Sequence, residues 1–240
     1  MLSKVVAHRG FTRLYPENTR RSVREALKLG VRFIEIDVQL SSDLVPVVYH
    51  DDTLRRVSGM AGDIRRLPWS KIKTLSAYEP KRLGQKFKNE KISSLKSLAV
   101  EFSKSRGARL FVELKEESLK PFGRLEMLAA THVALKSIRK RCILISFDVE
   151  VLKLARAVTS YPIGCVIRRW SDLKSPVMKA LRPEFVFSGT PMLPKSGSLK
   201  IKGSKHCVYE VPDTALGAHL RRRGVDLIET FAVDHYSRRS

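Results

Sequence analysis

The chain has 240 residues, enough for one domain with a sizeable core, and 43% of them are hydrophobic, which excludes an intrinsically disordered protein. Lysine and arginine number 46 against 24 acidic residues, so the formal net charge is +22, which predicts attraction to phosphate esters, anionic membrane surfaces or nucleic acid. No apolar run is long enough to predict a membrane-spanning helix. The first residues enter a strand-like segment too early for a signal peptide, so we expect a cytoplasmic protein.

Short β-branched segments alternate with amphipathic helical segments along the chain. In the first helix, Val23, Ala26 and Leu27 lie at i, i+3 and i+4, and Gly30 is its stop. The predicted helices are 19–29, a segment around 95–102, 125–138, 149–157, 176–181 and 213–223. The predicted strands are 4–8, 32–38, 109–115, 142–147, 162–167, 184–188, 206–211 and 225–230. Eight strands in this alternation are typical of the α/β class and indicate a (β/α)8 TIM barrel.

Three segments depart from the alternation. The strand-like segment Pro46–His50 follows Val38 too closely for a helical crossover, so it predicts a short antiparallel arm. Residues 52–92 are polar and irregular and exceed an ordinary βα loop, so we interpret them as a small insertion over the barrel mouth, after the second strand. Residues 190–205 are rich in Gly, Ser, Pro and Lys and predict a loop in place of a helix. The whole chain, 1–240, is predicted to be one barrel domain.

Three widely spaced cysteines, Cys142, Cys165 and Cys207, form neither an even set nor a C-x-x-C pair. A disulfide framework or a zinc site would require such a pattern. We therefore expect ordinary buried thiols.

Carboxylates are predicted to collect at one end of the barrel. Because alternate strand residues face opposite sides, Glu35 and Asp37 share one face and the intervening isoleucines share the other. The apolar face should pack outward against helices, which disfavours the alternative of an exposed acidic strand. Glu113 lies near the C-terminal end of its strand, where active sites of this fold are found. Three carboxylates without a nearby Cys or His ligand suit a hard divalent cation, Mg²⁺ or Ca²⁺.

Two histidines are predicted to reach the same rim. His8 ends the first strand. His50 reaches the rim if Asp43 and Leu44 form a two-residue hairpin loop, because Asp37 then lies opposite His50. A slip of one residue would turn His50 away.

This group of residues can act on a phosphoryl ester. Two histidines can divide acid and base work near neutral pH. Arg9 follows His8, and Lys115 shares a strand face with Glu113. Together with a cation, Arg9 and Lys115 can stabilise charge developing on a phosphoryl group.

Several motifs resemble those of the glycerophosphodiester phosphodiesterase family, and they are spread over nearly the whole chain. They are HRG at 8–10, PENT at 16–19, IEIDVQLSSDLVPVVYHD at 34–51, VELK at 112–115 and, more weakly, ISF at 145–147 and GVDLI at 224–228. The resemblance implies a barrel that hydrolyses glycerophosphodiesters to an alcohol and glycerol 3-phosphate, with roles in glycerol and lipid metabolism. Direct water attack and a cyclic phosphate intermediate both stay open.

The resemblance also implies a role for each matching residue. The implied roles are the acid–base pair for His8 and His50, metal ligands for Glu35, Asp37 and Glu113, phosphate contacts for Arg9 and Lys115, a substrate-pocket aromatic for Tyr209, and ordering of a loop for Asn18. The chain departs from the family pattern in having Leu44 where Gly is usual, Glu210 and Pro212 around Tyr209, and Glu229-Thr230 where Thr-Asp is usual. Apart from Leu44 in the hairpin turn, these changes fall on the alcohol or glycerol side of the pocket.

Two further functions compete with hydrolysis of small diesters. One is a lysophospholipase D-like activity on an anionic membrane surface, where the basic charge would hold the protein. The other is a non-catalytic barrel that binds phosphate or a polyanion. The expected partner is a small phosphodiester substrate; no recognised motif predicts a specific nucleic-acid ligand, and the oligomeric state is left open.

Overall fold

Parallel pairing closes eight of the ten strands into a ring. In the computed structural model, which describes residues 2–237, the first and last strands of the ring pair with each other and every neighbouring pair is parallel. The strands are β1 (Val5–Ala7), β2 (Phe33–Leu40), β3 (Pro46–Val48), β4 (Ser93–Ser94), β5 (Arg109–Leu114), β6 (Cys142–Ser146), β7 (Ile163–Val166), β8 (Phe185–Gly189), β9 (Lys205–Tyr209) and β10 (Leu227–Thr230). Strands β3 and β4 lie outside the ring, and the other eight form the (β/α)8 TIM barrel that the sequence predicts.

Helices connect most of the ring strands. They are α1 (Arg20–Lys28), α2 (Arg55–Ser58), α3 (Trp69–Ile72), α4 (Pro80–Leu83), α5 (Leu95–Ser103), α6 (Glu116–Phe122), α7 (Arg124–Ala134), α8 (Val149–Val158), α9 (Pro176–Leu181) and α10 (Thr214–Arg222). Side-chain oxygens cap several of them; the Thr19 hydroxyl, for example, accepts the Ser22 N–H at 3.1 Å at the start of α1.

Most predicted helices are confirmed, but two differences stand out. The predicted helix 125–138 is wrong in its last turn, since α7 ends at Ala134. Lys136, Arg139 and Lys140 would have stacked like charges at i, i+3 and i+4 had the helix continued. Helix α6 was not predicted, because Pro121 within it disfavours a helix at the level of sequence.

The two faces of the barrel wall have separate hydrophobic clusters. Ile34 and Ile36 are fully buried beneath the helices, which confirms that the isoleucine face is outward. Inside the barrel, the Phe111 ring lies 5.0 Å from the rings of both Phe185 and Phe187, measured between centroids. We call this inward cluster the inner plug; it comprises Val6, Phe111, Ile143, Ile145, Val166, Phe185, Phe187, Cys207 and Leu227.

The arm after β2 pairs one residue out of the predicted register. Val38 lies opposite Val48, and the Tyr49 N–H donates to the Asp37 carbonyl at 3.0 Å. Asp37 therefore lies opposite Tyr49, and the predicted pairing of Asp37 with His50 is wrong.

The register differs because the hairpin loop has three residues rather than two. The Ser41 N–H donates to the Val45 carbonyl at 3.0 Å, and the Ser41 hydroxyl accepts the Val45 N–H at 2.9 Å. Leu44 takes a left-handed conformation with φ of 61° to close the turn. The Asp43 carboxylate accepts the Trp69 N–H at 2.8 Å and so ties this turn to α3.

The insertion between β3 and β4 has a small core of its own. Strand β4 pairs antiparallel with β3, and α2, α3 and α4 are only four residues long, as expected of an irregular segment. This core comprises Val47, Tyr49, Leu54, Val57, Ile64, Ile72, Ala77 and Ile92. Arg56 and Glu79 of the insertion line a cavity beside the barrel mouth.

The segment 190–205 takes the place of a helix, as predicted, and the 3₁₀ turn Thr190–Met192 is its one regular element before β9 begins at Lys205. His206 fixes this segment to the wall: its Nδ1 lies 2.9 Å from the Leu199 carbonyl, and its Nε2 lies 2.8 Å from the Ser188 hydroxyl. Within residues 2–237, Cys142, Cys165 and Cys207 are free and buried, as expected. No helix among these residues is long and apolar enough to cross a membrane.

The strained turn at Leu44 gives a test of the fold. Leu44 is exposed, so Leu44→Gly removes the left-handed strain with little loss of packing. We expect the free energy of unfolding to rise by about 0.5–1 kcal/mol, the strain relieved less the entropy cost of glycine. Urea unfolding measures this change. Leu44→Ala is the matched control, because it removes the same side chain but keeps the strain; an equal gain from alanine would contradict the explanation.

Candidate active site

A cavity of about 180 Å³ opens at the C-terminal ends of the barrel strands. The inner plug forms its floor, since Ile145, Val166 and Phe187 belong to both. Its polar lining residues are His8, Arg9, Glu35, Asp37, His50, Glu113, Lys115, Tyr209, Glu210 and Glu229. The structure thus brings every candidate site residue of the sequence into one cavity. Their individual roles stay predictions.

Two neighbouring strands deliver three carboxylates to the cavity. Glu35 and Asp37 point inward from β2, and Glu113 lies directly opposite Asp37 on β5. One oxygen from each of the three lies within 4.8 Å of the others. The Lys115 ammonium lies 3.1 Å from Glu113 Oε1 and 3.7 Å from Asp37 Oδ1, so it bridges the two strands.

The turn after β1 binds both carboxylates of β2. Arg9 has a left-handed backbone, with φ of 56°, and its N–H donates to Glu35 Oε2 at 3.0 Å. The Arg9 Nε lies 3.2 Å from Asp37 Oδ2. The next residue must be glycine, because Gly10 has a φ of 86° and a Cβ there would lie 2.8 Å from the Ser22 backbone carbon. Backbone strain at this turn therefore serves to place the Arg9 amide and guanidinium.

Asn18 holds Asp37 at two points. Its Nδ2 donates to Asp37 Oδ2 at 2.8 Å, and its Oδ1 accepts the Asp37 N–H at 3.1 Å. Asn18 also has a left-handed backbone, with φ of 55°, which asparagine tolerates better than most residues. The residue expected to order a loop thus also fixes the rotamer of a candidate metal ligand.

His8 is buried and rests on an aromatic ring. The Phe231 ring stacks on it, with centroids 4.5 Å apart and planes inclined by 20°. The His8 Nε2 lies 3.9 Å from Glu35 Oε2, and no described residue hydrogen-bonds its Nδ1. Burial, with Arg9 adding to it, lowers the pKa of His8 well below 6.5, so the imidazole is neutral near pH 7.

His50 reaches the cavity from beyond the end of β3, which is why the register error does not remove it from the site. The Gln39 side-chain amide donates to the carbonyls of His50 and Asp51 at 2.9 and 2.8 Å, and so sets the course of this segment. The His50 Nδ1 lies 2.8 Å from Asp51 Oδ1, and about a third of the His50 side chain is exposed. With Nδ1 bonded to a carboxylate, Nε2 is the nitrogen left for proton transfer.

A chain of ion pairs joins the two histidine-bearing segments. The Arg9 Nη1 lies 3.1 Å from the buried carboxylate of Glu17. Arg56, from the insertion, binds Glu17 through both terminal nitrogens at 2.7 Å and also contacts Asp51 at 2.7 Å. Asp51 in turn contacts His50. The insertion therefore fixes the position of His50 relative to Arg9.

Glu229 is a site residue that sequence reasoning missed. It points inward from β10, is almost fully buried, and offers an oxygen within 4.8 Å of ligand atoms of His8 and Glu35. Its signal was the same alternation that identified Glu35, since Leu227 and Glu229 share a face of the strand. Because this position departs from the family pattern, the sequence analysis assigned it to the alcohol or glycerol side of the pocket instead.

The carboxylates that line the cavity outnumber the cations Arg9 and Lys115, so their negative charge is not fully neutralised. Burial raises the pKa of Glu35 well above its ordinary value, and the carboxylates of Asp37 and Glu229 raise it further. Glu229 shows the same shift, from burial and then from Glu113 and Asp37. These shifts report the cost of keeping several carboxylates ionised in a buried site.

Asp37 is the exception among these carboxylates. Burial alone would raise its pKa, but Arg9 and then Lys115 outweigh burial and hold the pKa below its ordinary range. The pKa of Glu113 is raised by burial in spite of Lys115. Asp37 is thus the carboxylate most firmly held in its charged form.

The residues present fit a hard divalent cation. Glu35 Oε1 and Glu229 Oε1 are buried oxygens with no hydrogen-bond partner among residues 2–237, which is costly unless something else binds them. The nearby donors from Glu35, Asp37 and Glu113 are all carboxylate oxygens, the ligands that Mg²⁺ and Ca²⁺ prefer. A cation would also neutralise the excess negative charge of the cluster.

Comparison with solved structures shows similar barrels. The Oleispira antarctica phosphodiesterase solved in complex with the product sn-glycerol-3-phosphate superposes with a TM-score of 0.82 at 26% identity, over 98% of this chain and 95% of that one. A glycerophosphodiester phosphodiesterase of Agrobacterium tumefaciens gives a TM-score of 0.78 at 25% identity, over 98% and 99%.

Sequence comparison identifies the family. Glycerophosphodiester phosphodiesterase 1 of Bos taurus is 29% identical over 167 residues, which are 69% of this chain and 49% of that protein. The chain thus spans about half the length of this relative. The glycerophosphodiester phosphodiesterase of Caldanaerobacter subterraneus is 30% identical over 155 residues, 58% of this chain and 63% of that protein. The model of the glycerophosphoryl diester phosphodiesterase family matches residues 8–229. The chain belongs to the glycerophosphoryl diester phosphodiesterase family.

Proposed function

We propose that the protein hydrolyses glycerophosphodiesters to an alcohol and glycerol 3-phosphate with a divalent cation bound. The observation that carries the proposal is the cavity in which two histidines, an arginine and a lysine surround a carboxylate cluster. Two carboxylate oxygens at this cavity have no hydrogen-bond partner among residues 2–237. The sn-glycerol-3-phosphate bound to the Oleispira antarctica phosphodiesterase supports a small phosphodiester as substrate.

The cations of the cavity bind the phosphate of the diester. The guanidinium of Arg9 and the ammonium of Lys115 both face the cavity, and each is already fixed by the Asp37 carboxylate. Side chains fixed before substrate arrives need no reorganisation as charge develops on the phosphoryl oxygens. A divalent cation, held by Glu35, Asp37 and Glu113, supplies Lewis-acid stabilisation of the same charge when bound.

The two histidines carry the proton transfers. One takes the proton from the attacking hydroxyl, of water or of the glycerol moiety, and the other gives a proton to the alcohol oxygen as its bond to phosphorus breaks. Their environments differ: His8 is buried and neutral near pH 7, whereas His50 is partly exposed and bonded to Asp51. Phe231 and Asp51 orient the two rings, which is the usual requirement for efficient acid–base catalysis.

A second candidate is lysophospholipase D-like cleavage at an anionic membrane. A neighbouring cavity of about 450 Å³ shares Arg9 with the active site and is lined partly by the apolar side chains of Leu83 and Phe231. Such a cavity has room for a leaving group larger than a small alcohol, and the net charge of +22 favours an anionic surface.

The cation should be essential. Turnover of glycerophosphocholine should fall to background in excess EDTA and return with Mg²⁺ or Ca²⁺. Without a cation, the negative charge of the carboxylate cluster repels the phosphate of the substrate. A thermal scan gives an independent readout: either ion should raise the melting temperature of the wild type and not that of Glu35→Gln. Full turnover in excess chelator would contradict the assignment.

Each histidine should be essential for turnover. His8→Ala and His50→Ala should each lower kcat roughly 100-fold or more, the usual contribution of an acid or base. Steady-state kinetics on glycerophosphocholine measures this, with circular dichroism to confirm folding. His219→Ala is the matched control, because His219 is an exposed helix residue outside the cavity. A variant of His8 or His50 with wild-type kcat would remove that residue from the mechanism.

Membrane association separates the two candidate functions. If the protein acts on lysophospholipids at a surface, it should sediment with phosphatidylglycerol vesicles at low salt and less so at high salt, because the attraction is screened. The same variants should be assayed on lysophosphatidylcholine. No sedimentation at either salt concentration, with turnover of glycerophosphocholine intact, would leave the small diester as substrate.

A further inference from the structure

The end of the barrel opposite the active site holds a cationic cavity. It has a volume of about 320 Å³ and lies at the N-terminal ends of the strands. Residues Phe33 and Leu227, which pack against or within the inner plug, form part of its lining. The charged residues that line it are Lys4, Arg32, Arg109, Lys205 and Asp226. The inner plug separates this cavity from the carboxylate cluster.

Strand alternation places two of these cations on the inward faces of their strands at the N-terminal rim of the barrel, where Lys205 is exposed and Arg109 is partly exposed. Arg109 begins β5 on the face that carries Glu113 four residues later, and Lys205 begins β9 on the face that carries Tyr209. Both charges approach one buried ring: the Arg109 Cζ lies 5.8 Å and the Lys205 Nζ 5.9 Å from the centroid of Phe185. The same two-residue alternation thus places carboxylates at one end of the barrel and cations at the other.

The charges of this cavity are not balanced by protein. Four cations and one carboxylate leave a net charge of +3. Among residues 2–237, no carboxylate lies within 4.0 Å of a charged nitrogen of these four side chains. One oxygen of Asp226, Oδ2, already accepts the His206 N–H at 2.9 Å. Arginines elsewhere do find partners, as Arg124 does with Asp148 at 2.8 Å.

We propose that this cavity binds a small phosphate anion of at least two negative charges, such as a diphosphate. Cationic groups from four separate segments converge on it, which suits an anion that presents oxygens in several directions. Phe33 and Leu227 give the inner side of the cavity an apolar lining, which strengthens the attraction. The cavity opens at the N-terminal rim of the barrel, and its volume of about 320 Å³ suits a small free anion. The binding goes beyond the proposed hydrolysis and does not depend on it.

The test is a calorimetric titration with inorganic pyrophosphate. It is run on the whole chain in EDTA, so that metal–pyrophosphate complexes are absent. Lys4→Gln/Lys205→Gln removes two charges from the cavity, and Lys136→Gln/Lys140→Gln removes two from an exposed surface elsewhere. We expect the first double variant to lose one pyrophosphate site, or to bind it at least tenfold more weakly, and the control to match the wild type.

Identical binding by the wild type and both double variants would overturn the proposal, because any pyrophosphate bound would then lie elsewhere, as at Arg9 and Lys115. Lys4→Gln/Arg32→Gln is a second variant at exposed positions and should weaken the same site. Turnover of glycerophosphocholine should be unchanged in both cavity variants. If turnover falls together with pyrophosphate binding, the proposal of a site separate from the active site is wrong.

Two further arms identify the source of the phosphate. Phosphatidylglycerol vesicles and a single-stranded oligonucleotide are each tested as competitors of pyrophosphate. If neither the vesicles nor the oligonucleotide displace pyrophosphate, the result supports a small free anion as the ligand. Wild-type protein that binds either competitor through Lys4 and Lys205 but shows no pyrophosphate site would overturn the proposal in favour of a macromolecular partner.

Discussion

The burial of Asp37 is the constraint on which the active site depends. An ionised carboxylate in a nearly dry site is costly unless it is paired and hydrogen-bonded. Asp37 meets this requirement through Arg9 and Asn18, from the connection between β1 and α1, and through Lys115, from the end of β5. The same contacts fix the turn after β1 and the end of β5 against β2. The charge of one side chain thus organises most of the cavity wall.

The strained positions lie where these contacts require them. Arg9 and Asn18 both have a positive φ, and both bind the carboxylates of β2. Glu79 in the insertion is strained as well and accepts the Glu17 N–H at 2.8 Å. Glu17 contacts Arg56, and Arg56 contacts Asp51 beside His50. The insertion therefore acts as a structural support for the two candidate acid–base histidines. Strain of about 1–3 kcal/mol at such a residue persists only because surrounding contacts over-determine it.

Strand alternation explains how much of the site the sequence predicted. A period of two residues places Glu35, Asp37 and Glu113 on inward faces without any knowledge of contacts. His50 lies beyond a strand end, where alternation no longer applies, and its position depends on the Gln39 amide and on Asp51. The length of the hairpin loop depends on the Ser41 hydroxyl, which competes with the backbone for hydrogen bonds. Such local side-chain contacts carry no periodic signal, which is why the register was wrong by one residue.

The interior of the barrel is polarised along its axis. Carboxylates gather at the C-terminal ends of the strands, Arg109 and Lys205 lie at the N-terminal ends, and the inner plug keeps them apart. A cluster of carboxylates would repel an anionic substrate, so the mouth becomes receptive to phosphate only when positive charge compensates it. Arg9 and Lys115 provide part of that charge, and the divalent cation of the proposed function would provide the rest. The excess of basic residues over the whole chain favours the approach of anions in general, whereas the local geometry around Asp37 defines the candidate site.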